Sequence, residues 1–390
     1  MTNLRIGLLW HSAAAGNLGV GALTVGNIAL VREAAARAGL TPHFTIFGGR
    51  EPFPAYVTGD DIADRTIDGR YMVSPRGYLA DVRNIDVMLD IGGGDSFTDI
   101  YPDKRFIYQI GTKLMALWAG VPLILSPQTI GPFSRGLHTR VAAWICRRAN
   151  MVFARDPLSM DLLHRLAPTA KSMQVIDVAF ALPFERPVRK SGEPIKVGIN
   201  VSGLLMNGGF GSSNNDYGLT LDYPALTRRL IAEFTAMPGV EVHLVPHVIA
   251  PNLPRDDDGA SCDALKAEFP GVVRVPNFKS PSAAKSYISG LDFLTGARMH
   301  ATIAAYSAGV PVVPISYSRK FEGLFGGLNF PWTVPARNIS TDAAFNFILD
   351  AYARRGAVAA DIAAGTPIIE AGLENYRAEL TRQFIAIAGR

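Results

Sequence analysis

The fold class the sequence predicts is α/β, as two doubly wound Rossmann-like domains, and three observations carry it. Short apolar runs rich in β-branched residues alternate with segments of helical composition along the whole chain. Leu182–Pro194 (LPFERPVRKSGEP) holds three prolines and five charges and reads as a linker, after which the same pattern restarts. The length, 390 residues, suits two α/β domains of ordinary size. These set domain boundaries at 1–185 and 186–390.

In the first half, Leu4–Trp10 is a strand, followed by a loop with Gly16, Gly19 and Gly21 and a helix from about Ala22 to Ala38. The loop lacks GxGxxG and the GK[ST] of a P-loop, so it supports cofactor binding only weakly, though Asn17 can reach a substrate hydroxyl. His43–Phe47 is the next strand. Gly48–Tyr78, rich in Pro, Gly and charge, predicts an irregular surface excursion. Ile85–Ile91 is a strong buried strand ending in Gly92, Gly93, Gly94 and Asp95; the glycines let the backbone lie against a ligand, and Asp95 or Asp99 can orient a hydroxyl or merely cap a turn. Arg105–Trp118 is a helix. Val121–Ser126 is a strand opening into a stiff loop with Gln128 and Thr129. His138–Arg148 is a basic helix, and the strand Met151–Ala154 leads to Arg155, either an anion ligand or the partner of Asp156 or Asp161. Gln174–Val178 completes this half.

In the second half, Ile195–Val201 is a strand, followed by a glycine- and asparagine-rich loop that reads as a lid. Tyr223–Met237 is a helix, and the strand Val240–Val245 ends beside His247, which lines the cleft or caps a loop. Asp256–Asp258 reads as a solvated turn. Asp263–Glu268 and Ser282–Ile288 are helical, and Val272–Val275 is a strand. Asp292–Thr295 is a strand, Gly296 breaks it, and Ala301–Ala308 is a helix ended by Gly309. Val310–Ser316 is a strand buried on both faces, followed by Arg319 and Lys320. Arg298 and His300 thus sit between a strand's carboxyl end and a helix start, where α/β sheets bind ligands and helix N-termini favour anions; the competing reading is local capping and pairing. The last helix starts at Thr366–Pro367, with Ile369, Leu373, Tyr376, Leu380 and Phe384 on one stripe.

Composition narrows the class. Hydrophobic residues make up 48% of the chain and charged residues 18%, as in a packed globular protein. A net charge of +4 and a pI near 9.0 fit an anionic substrate or weak association with acidic lipid, and argue no case for nucleic acid. Cys146 and Cys262 form no CxxC pair, which predicts a reducing compartment and neither a zinc site nor a disulfide framework. The apolar run after Arg5 is short for a signal peptide, and the uncharged run 301–318 contains two prolines and is a poor membrane span. Cytoplasmic location is the expectation.

In order and spacing, six stretches resemble the polysaccharide pyruvyl transferase family: DIGGGDSFTD (Asp90–Asp99), SPQTIGPF (Ser126–Phe133), FARD (Phe153–Asp156), VPH (Val245–His247), GARMH (Gly296–His300) and GVPVVPISYSRKFEGL (Gly309–Leu324). Val20 stands where the family commonly has an acidic residue after N-x-G, and Met299 where R-L-H is common. The resemblance implies a GT-B-like arrangement with an interdomain cleft, the N-terminal domain on the acceptor side, the C-terminal domain on the phosphoenolpyruvate side, and the last helix packed back on the N-terminal domain. It implies transfer of the pyruvyl group of phosphoenolpyruvate to sugar hydroxyls of a cell-surface polysaccharide or its lipid-linked precursor, forming a ketal without metal or cofactor. His300 is then the general acid and Asp95 the base. Arg298, Arg155, Lys320, Arg319, Ser316, His247, Gly93, Gly94, Asn17 and Gln128 bind substrate. An acceptor on a lipid places the enzyme at the inner face of the cell membrane, as a peripheral protein. A nucleotide-sugar glycosyltransferase and a noncatalytic glycan-binding protein on the same fold are the rival readings.

Overall fold

Each half of the chain folds around one parallel sheet, and the six strands of the second follow the order of the first six of the first. In the computed structural model, which describes residues 2–94, 97–211 and 215–389, the first sheet comprises β1 (Thr2–Leu9), β2 (Leu40–Gly48), β3 (Ile62–Thr66), β4 (Val87–Asp90), β5 (Leu123–Gln128), β6 (Met151–Ala154) and β7 (Ser172–Gln174). Its order is β3-β2-β1-β4-β5-β6-β7. The second sheet comprises β8 (Ile195–Asn200), β9 (Val240–Leu244), β10 (Val273–Arg274), β11 (Phe293–Gly296), β12 (Val312–Ser316) and β13 (Val334–Pro335), in the order β10-β9-β8-β11-β12-β13. Every pairing is parallel, and helices make the crossovers except between β2 and β3. This is the doubly wound class, and each sheet reverses its order once, between β1 and β4 and between β8 and β11.

The central strands are buried on both faces: β4, β5, β6, β11 and β12 have every residue buried. That is why their sequences run apolar without alternation. Caps set many helix starts. Asp156, Asp222, Ser280 and Ser340 each accept a hydrogen bond from the backbone three residues on.

Two compact units emerge. The first holds residues 1–15, 23–181 and 369–390; the second holds 16–22 and 182–368. The glycine loop therefore groups with the second unit. The final helix, Arg355–Ala388, divides after Ile368, so its last segment belongs to the first unit. There Tyr376, Leu380 and Phe384 are fully buried.

Three local expectations need correction. The stretch 48–78 is not irregular throughout: it contains β3 and the helix Gly69–Val73. The last helix begins at Arg355 and carries Pro367 inside it. The helix after the glycine loop starts at Leu18, four residues before Ala22. Among the described residues, two helices, Leu18–Arg37 and Arg355–Ala388, are long and apolar enough to cross a bilayer by composition, but the first is mostly buried within the fold.

Candidate functional site at the second switch point

At the β8/β11 reversal, the turn Gly296–His300 leaves the sheet and becomes the helix Met299–Ser307. Arg298 is its N-cap, with extended backbone at φ −90° and ψ 113°. The Arg298 backbone N–H donates to Asn200 Oδ1 at 2.9 Å, and Asn200 Nδ2 donates to the Val245 carbonyl at 2.9 Å. One buried asparagine thus ties together the ends of β8, β9 and β11. A side chain at Gly296 would collide with it, since a Cβ there would lie 2.4 Å from Asn200 Cβ.

The Arg298 side chain points into the protein. Its Nε donates to both carboxylate oxygens of Asp258, at 3.1 and 3.2 Å, and its Nη2 reaches Asp258 Oδ1 at 2.6 Å and Asp256 Oδ1 at 2.7 Å. Asp258 is fully buried and also accepts the backbone N–H groups of Gly203, His247 and Val248, at 2.8, 3.0 and 2.9 Å. Burial pushes the Asp258 carboxyl up, against the opposing pull of Arg298 and the amides. Burial would lower the Arg298 pKa, yet the two carboxylates hold it above its usual value. The expected direct anion ligand is therefore one half of a buried ion-pair cluster. The acidic run expected as a solvated turn is the other half.

His300, the second residue of its helix, is half-buried. It packs on bare backbone: a Cβ at Gly19 would lie 2.4 Å from His300 Nδ1. Gly19 belongs to the first turn of the helix Leu18–Arg37, where Asn17 Oδ1 accepts its N–H at 3.0 Å. This segment is fastened to the loop after β9 by an Asn17–Val248 bridge, Leu18 N–H to the His247 carbonyl at 3.1 Å, and Ile249 N–H to the Gly16 carbonyl at 2.9 Å. The Asn17 oxygen thus serves as a helix cap. His247 is buried, and its imidazole is pushed down to about 3 by that burial, with His300 and Arg298 adding to the effect. It is neutral at ordinary pH. Ser316 ends β12 with a buried Oγ that has no hydrogen-bond partner among the described residues, and Arg319 and Lys320 form the first turn of the helix Arg319–Gly327 on the same edge of the sheet.

At the β1/β4 reversal, Gly92–Gly94 form a tight turn, with Gly92 and Gly93 at φ +67° and +72°. Trp10, just beyond β1, adopts φ +58°, which is strained for a bulky residue. The glycine carbonyls face inward: Gly92 accepts from Gln109 Nε2 at 2.8 Å, and Gly93 from Arg105 Nη2 at 3.3 Å. Beneath lies a buried ion pair, Lys113 Nζ to Asp90 Oδ1 at 3.0 Å, with both side chains inaccessible. Gln128 Nε2 bonds the Asp90 carbonyl at 2.9 Å, Asp90 Oδ2 at 3.2 Å and the Ser126 carbonyl at 3.2 Å. Gln128, expected to touch substrate, is an internal brace. Asp99 is likewise occupied, accepting from the Ser134 and Arg135 backbones and pairing with His138 at 3.1 Å. Asp95 lies outside the described residues.

Arg155 also differs from expectation. Only 2% exposed, it pairs with Asp177 at 2.8 Å, not with Asp156 or Asp161, and donates Nε to Thr129 Oγ1 at 3.0 Å. Asp156 caps the next helix instead. Sequence reasoning missed Asn200, Asp258 and Lys113. A polar residue ending an apolar strand was a signal for Asn200; nothing local marks Lys113 as buried.

On the carboxyl edge of the second sheet, a pocket of about 770 Å³ opens between the segments after β8 and β9, lined by Asn207, Tyr217, Asp222 and Arg255 among others. Among the described residues, no group of three His, Cys, Asp or Glu side chains is placed to hold a metal.

The polysaccharide pyruvyl transferase family model matches residues 42–319, well over half of the chain. The protein belongs to the polysaccharide pyruvyl transferase family. The matched span contains both triple-glycine and Arg-x-His turns. No curated protein matches the chain. Solved structures match the fold across nearly its whole length. Anabaena HepE, solved with UDP-glucose, has a TM-score of 0.56 at 11% identity, covering 98% of this chain and 100% of its own. The spinosyn rhamnosyltransferase SpnG, solved with thymidine diphosphate, has 0.53 at 12%, covering 94% and 96%. The UDP-GlcNAc 2-epimerase of Neisseria meningitidis, bound to UDP-GlcNAc, has 0.51 at 11%, covering 95% and 99%. At these identities the likeness shows the fold: mixed α/β, Rossmann-like, shared with GT-B glycosyltransferases and epimerases.

Proposed function

We propose that this family member transfers the pyruvyl group of phosphoenolpyruvate to two hydroxyls of one sugar in a cell-surface polysaccharide or its precursor. The observation that carries the reading is the Arg298–His300 turn: a half-buried imidazole at a helix start, fixed from below by Asn200 and Asp258. His300, protonated, gives its proton to the methylene carbon of phosphoenolpyruvate. The adjacent carbon becomes cation-like, and a sugar hydroxyl adds to it, losing its own proton to Asp95. A second hydroxyl of the same sugar then displaces phosphate, closing the ketal; its proton restores His300, and the proton taken up by Asp95 leaves on the phosphate.

The helix starts at Met299 and Arg319 favour the donor's phosphate and carboxylate, with Arg319 and Lys320 supplying positive charge and Ser316 a hydroxyl. In this reading Arg298 acts as a positioning residue, because its Nε and Nη2 are already bonded to carboxylates. Gly93 and Gly94 offer close backbone approach to the acceptor. The chemistry needs neither metal nor cofactor, so EDTA leaves turnover intact. The test is incubation with phosphoenolpyruvate and a panel of envelope saccharides, reading released phosphate and the mass of a bound pyruvyl group. No turnover with any acceptor, together with no phosphoenolpyruvate binding by calorimetry, defeats the reading.

A second reading rests on the solved neighbours that hold UDP-glucose and thymidine diphosphate. It makes this chain a nucleotide-sugar glycosyltransferase. Thermal shift separates the two: phosphoenolpyruvate raises Tm under the first, and a nucleoside diphosphate under the second.

A further inference from the structure

Two neighbouring helices of the first unit, Asp103–Trp118 and Gly136–Arg148, carry an exposed face that the catalytic reading does not use. They follow consecutive parallel strands and so run in the same direction. Their N-terminal ends are joined by Arg135–Asp103 at 2.7 Å and by the Phe106 and His138 rings, 4.2 Å between centroids.

Both helices turn large apolar residues outward. On the first, Ile107 is 63% and Trp118 73% exposed, eleven residues apart and so on one face. On the second, Leu137 is 70% and Trp144 40% exposed, seven apart, again on one face. Scattered exposed apolar residues are ordinary, but four large ones aligned on adjacent helices form a patch. The charge around them is mainly positive, since exposed Asp103 at the start of the first helix is paired with Arg135. The helix Gly136–Arg148 contains Arg140, Arg147 and Arg148, all exposed, and no Asp or Glu. The guanidinium of Arg148 lies 5.5 Å from the Trp144 ring centre, and that of Arg83 5.9 Å from Trp118. Tryptophan flanked by arginine is the composition that seats at a lipid–water boundary, rings at headgroup depth and cations on the phosphates.

We propose that this two-helix face docks on an anionic lipid bilayer. A second copy of the chain fits poorly, because a two-fold pairing would set the three arginines of one copy against those of the other. The inference stands apart from the proposed reaction, since none of these side chains belongs to either switch point.

The experiment is sedimentation with vesicles of pure phosphatidylcholine and of equimolar phosphatidylcholine and phosphatidylglycerol, at low and high salt. The native protein is expected to bind the anionic vesicles and to leave them at high salt. Replacing Arg140→Gln, Arg147→Gln and Arg148→Gln together should weaken binding on the order of a hundredfold. The pair Trp118→Ser and Trp144→Ser should weaken it as well, with Tm unchanged for both variants. Brominated lipid should quench the tryptophan fluorescence of the native protein, a readout that requires no variant. Failure of the native protein to bind anionic vesicles at low salt overturns the proposal. So does retained binding by the arginine variant, or a solution dimer that the tryptophan variant dissociates.

Discussion

The two switch points share a topology and differ in what they stabilise. At the first, a buried Lys113–Asp90 pair, Gln109 and Gln128 brace a turn of three glycines. At the second, a buried Arg298–Asp258 pair and Asn200 hold a turn that presents an imidazole. Among the described residues, one sheet edge carries a turn of bare backbone and the other an imidazole at a helix start. The two sheets run in the same order, so the distinction lies in the loops.

The largest expected effect tests whether the imidazole is chemical or structural. His300→Asn keeps a hydrogen-bonding side chain of similar reach but cannot protonate carbon. Its kcat should fall by about 10²–10⁴, with phosphoenolpyruvate affinity and Tm nearly unchanged. His247 cannot stand in, because burial pushes it down to about 3, and an acid of that kind would confine activity to strongly acidic solution. Normal turnover by His300→Asn would return His300 to a packing role against Gly19.

Breaking the buried pairs comes next. Arg298→Ala strands a fully buried Asp258, and Lys113→Ala strands a fully buried Asp90. Each should lose about 3–5 kcal/mol in urea unfolding, because an uncompensated buried charge remains. The Asp258 carboxyl is already raised, so its protonated form is the one the fold tolerates once Arg298 is gone. The stability deficit of Arg298→Ala should therefore shrink as pH falls toward the unfolded carboxylate range, about 4. Asp258→Asn added to Arg298→Ala should restore part of the loss. A constant deficit from neutral pH to pH 4 would mean that Asp258 is not the stranded charge.

Each region also keeps one histidine neutral. His11, beside β1, accepts from Asn27 at 2.9 Å in a network that Tyr376 joins; His247 sits beside β9. Burial pushes both down to about 3. A depressed histidine contributes stability above its unfolded value, near 6.5, and that contribution is lost as pH falls toward the folded value. The unfolding free energy from urea titration should thus decline below pH 6.5, by up to about 1.4 kcal/mol per pH unit for each histidine. His11→Gln should flatten the decline without touching the phosphoenolpyruvate response.

How much of this was legible in the sequence follows from where each interaction is encoded. Buried central strands announced themselves, because both faces are apolar; Met151–Ala154 was bounded correctly, and Gly309 does end its helix, at φ +71°. Edge strand β3, IADRT, has no fully buried residue and carries charge, so it looked like loop. The switch-point turns were placed from glycine and motif position. The charges were not: Arg298 pairs 40 residues away and Arg155 pairs 22 away. A cation that will be buried against a distant carboxylate looks, in one dimension, like a cation waiting for substrate.

The smallest effects concern two glycines that serve these regions for opposite reasons. Gly19 has ordinary helical backbone and no room, since an added Cβ would lie 2.4 Å from His300 Nδ1 and 2.9 Å from its Cγ. Gly93 has room and the wrong backbone: its nearest neighbour, Arg105 Nη2, would be 3.4 Å from a Cβ, but φ is +72°. Gly19→Ala should act by overpacking, about 1–3 kcal/mol, and must move the imidazole, so kcat should fall with it. Gly93→Ala should lose roughly 1–2 kcal/mol through left-handed strain, leaving His300 in place. Under the proposed reaction, Gly19→Ala therefore lowers kcat, while Gly93→Ala raises the acceptor KM with kcat for the donor-side chemistry preserved. Steady-state kinetics in both substrates, beside urea unfolding, separates the two. If the variants lose kcat and KM in the same proportion, the division of labour between the two sheet edges is wrong, and the glycines do no more than maintain the fold.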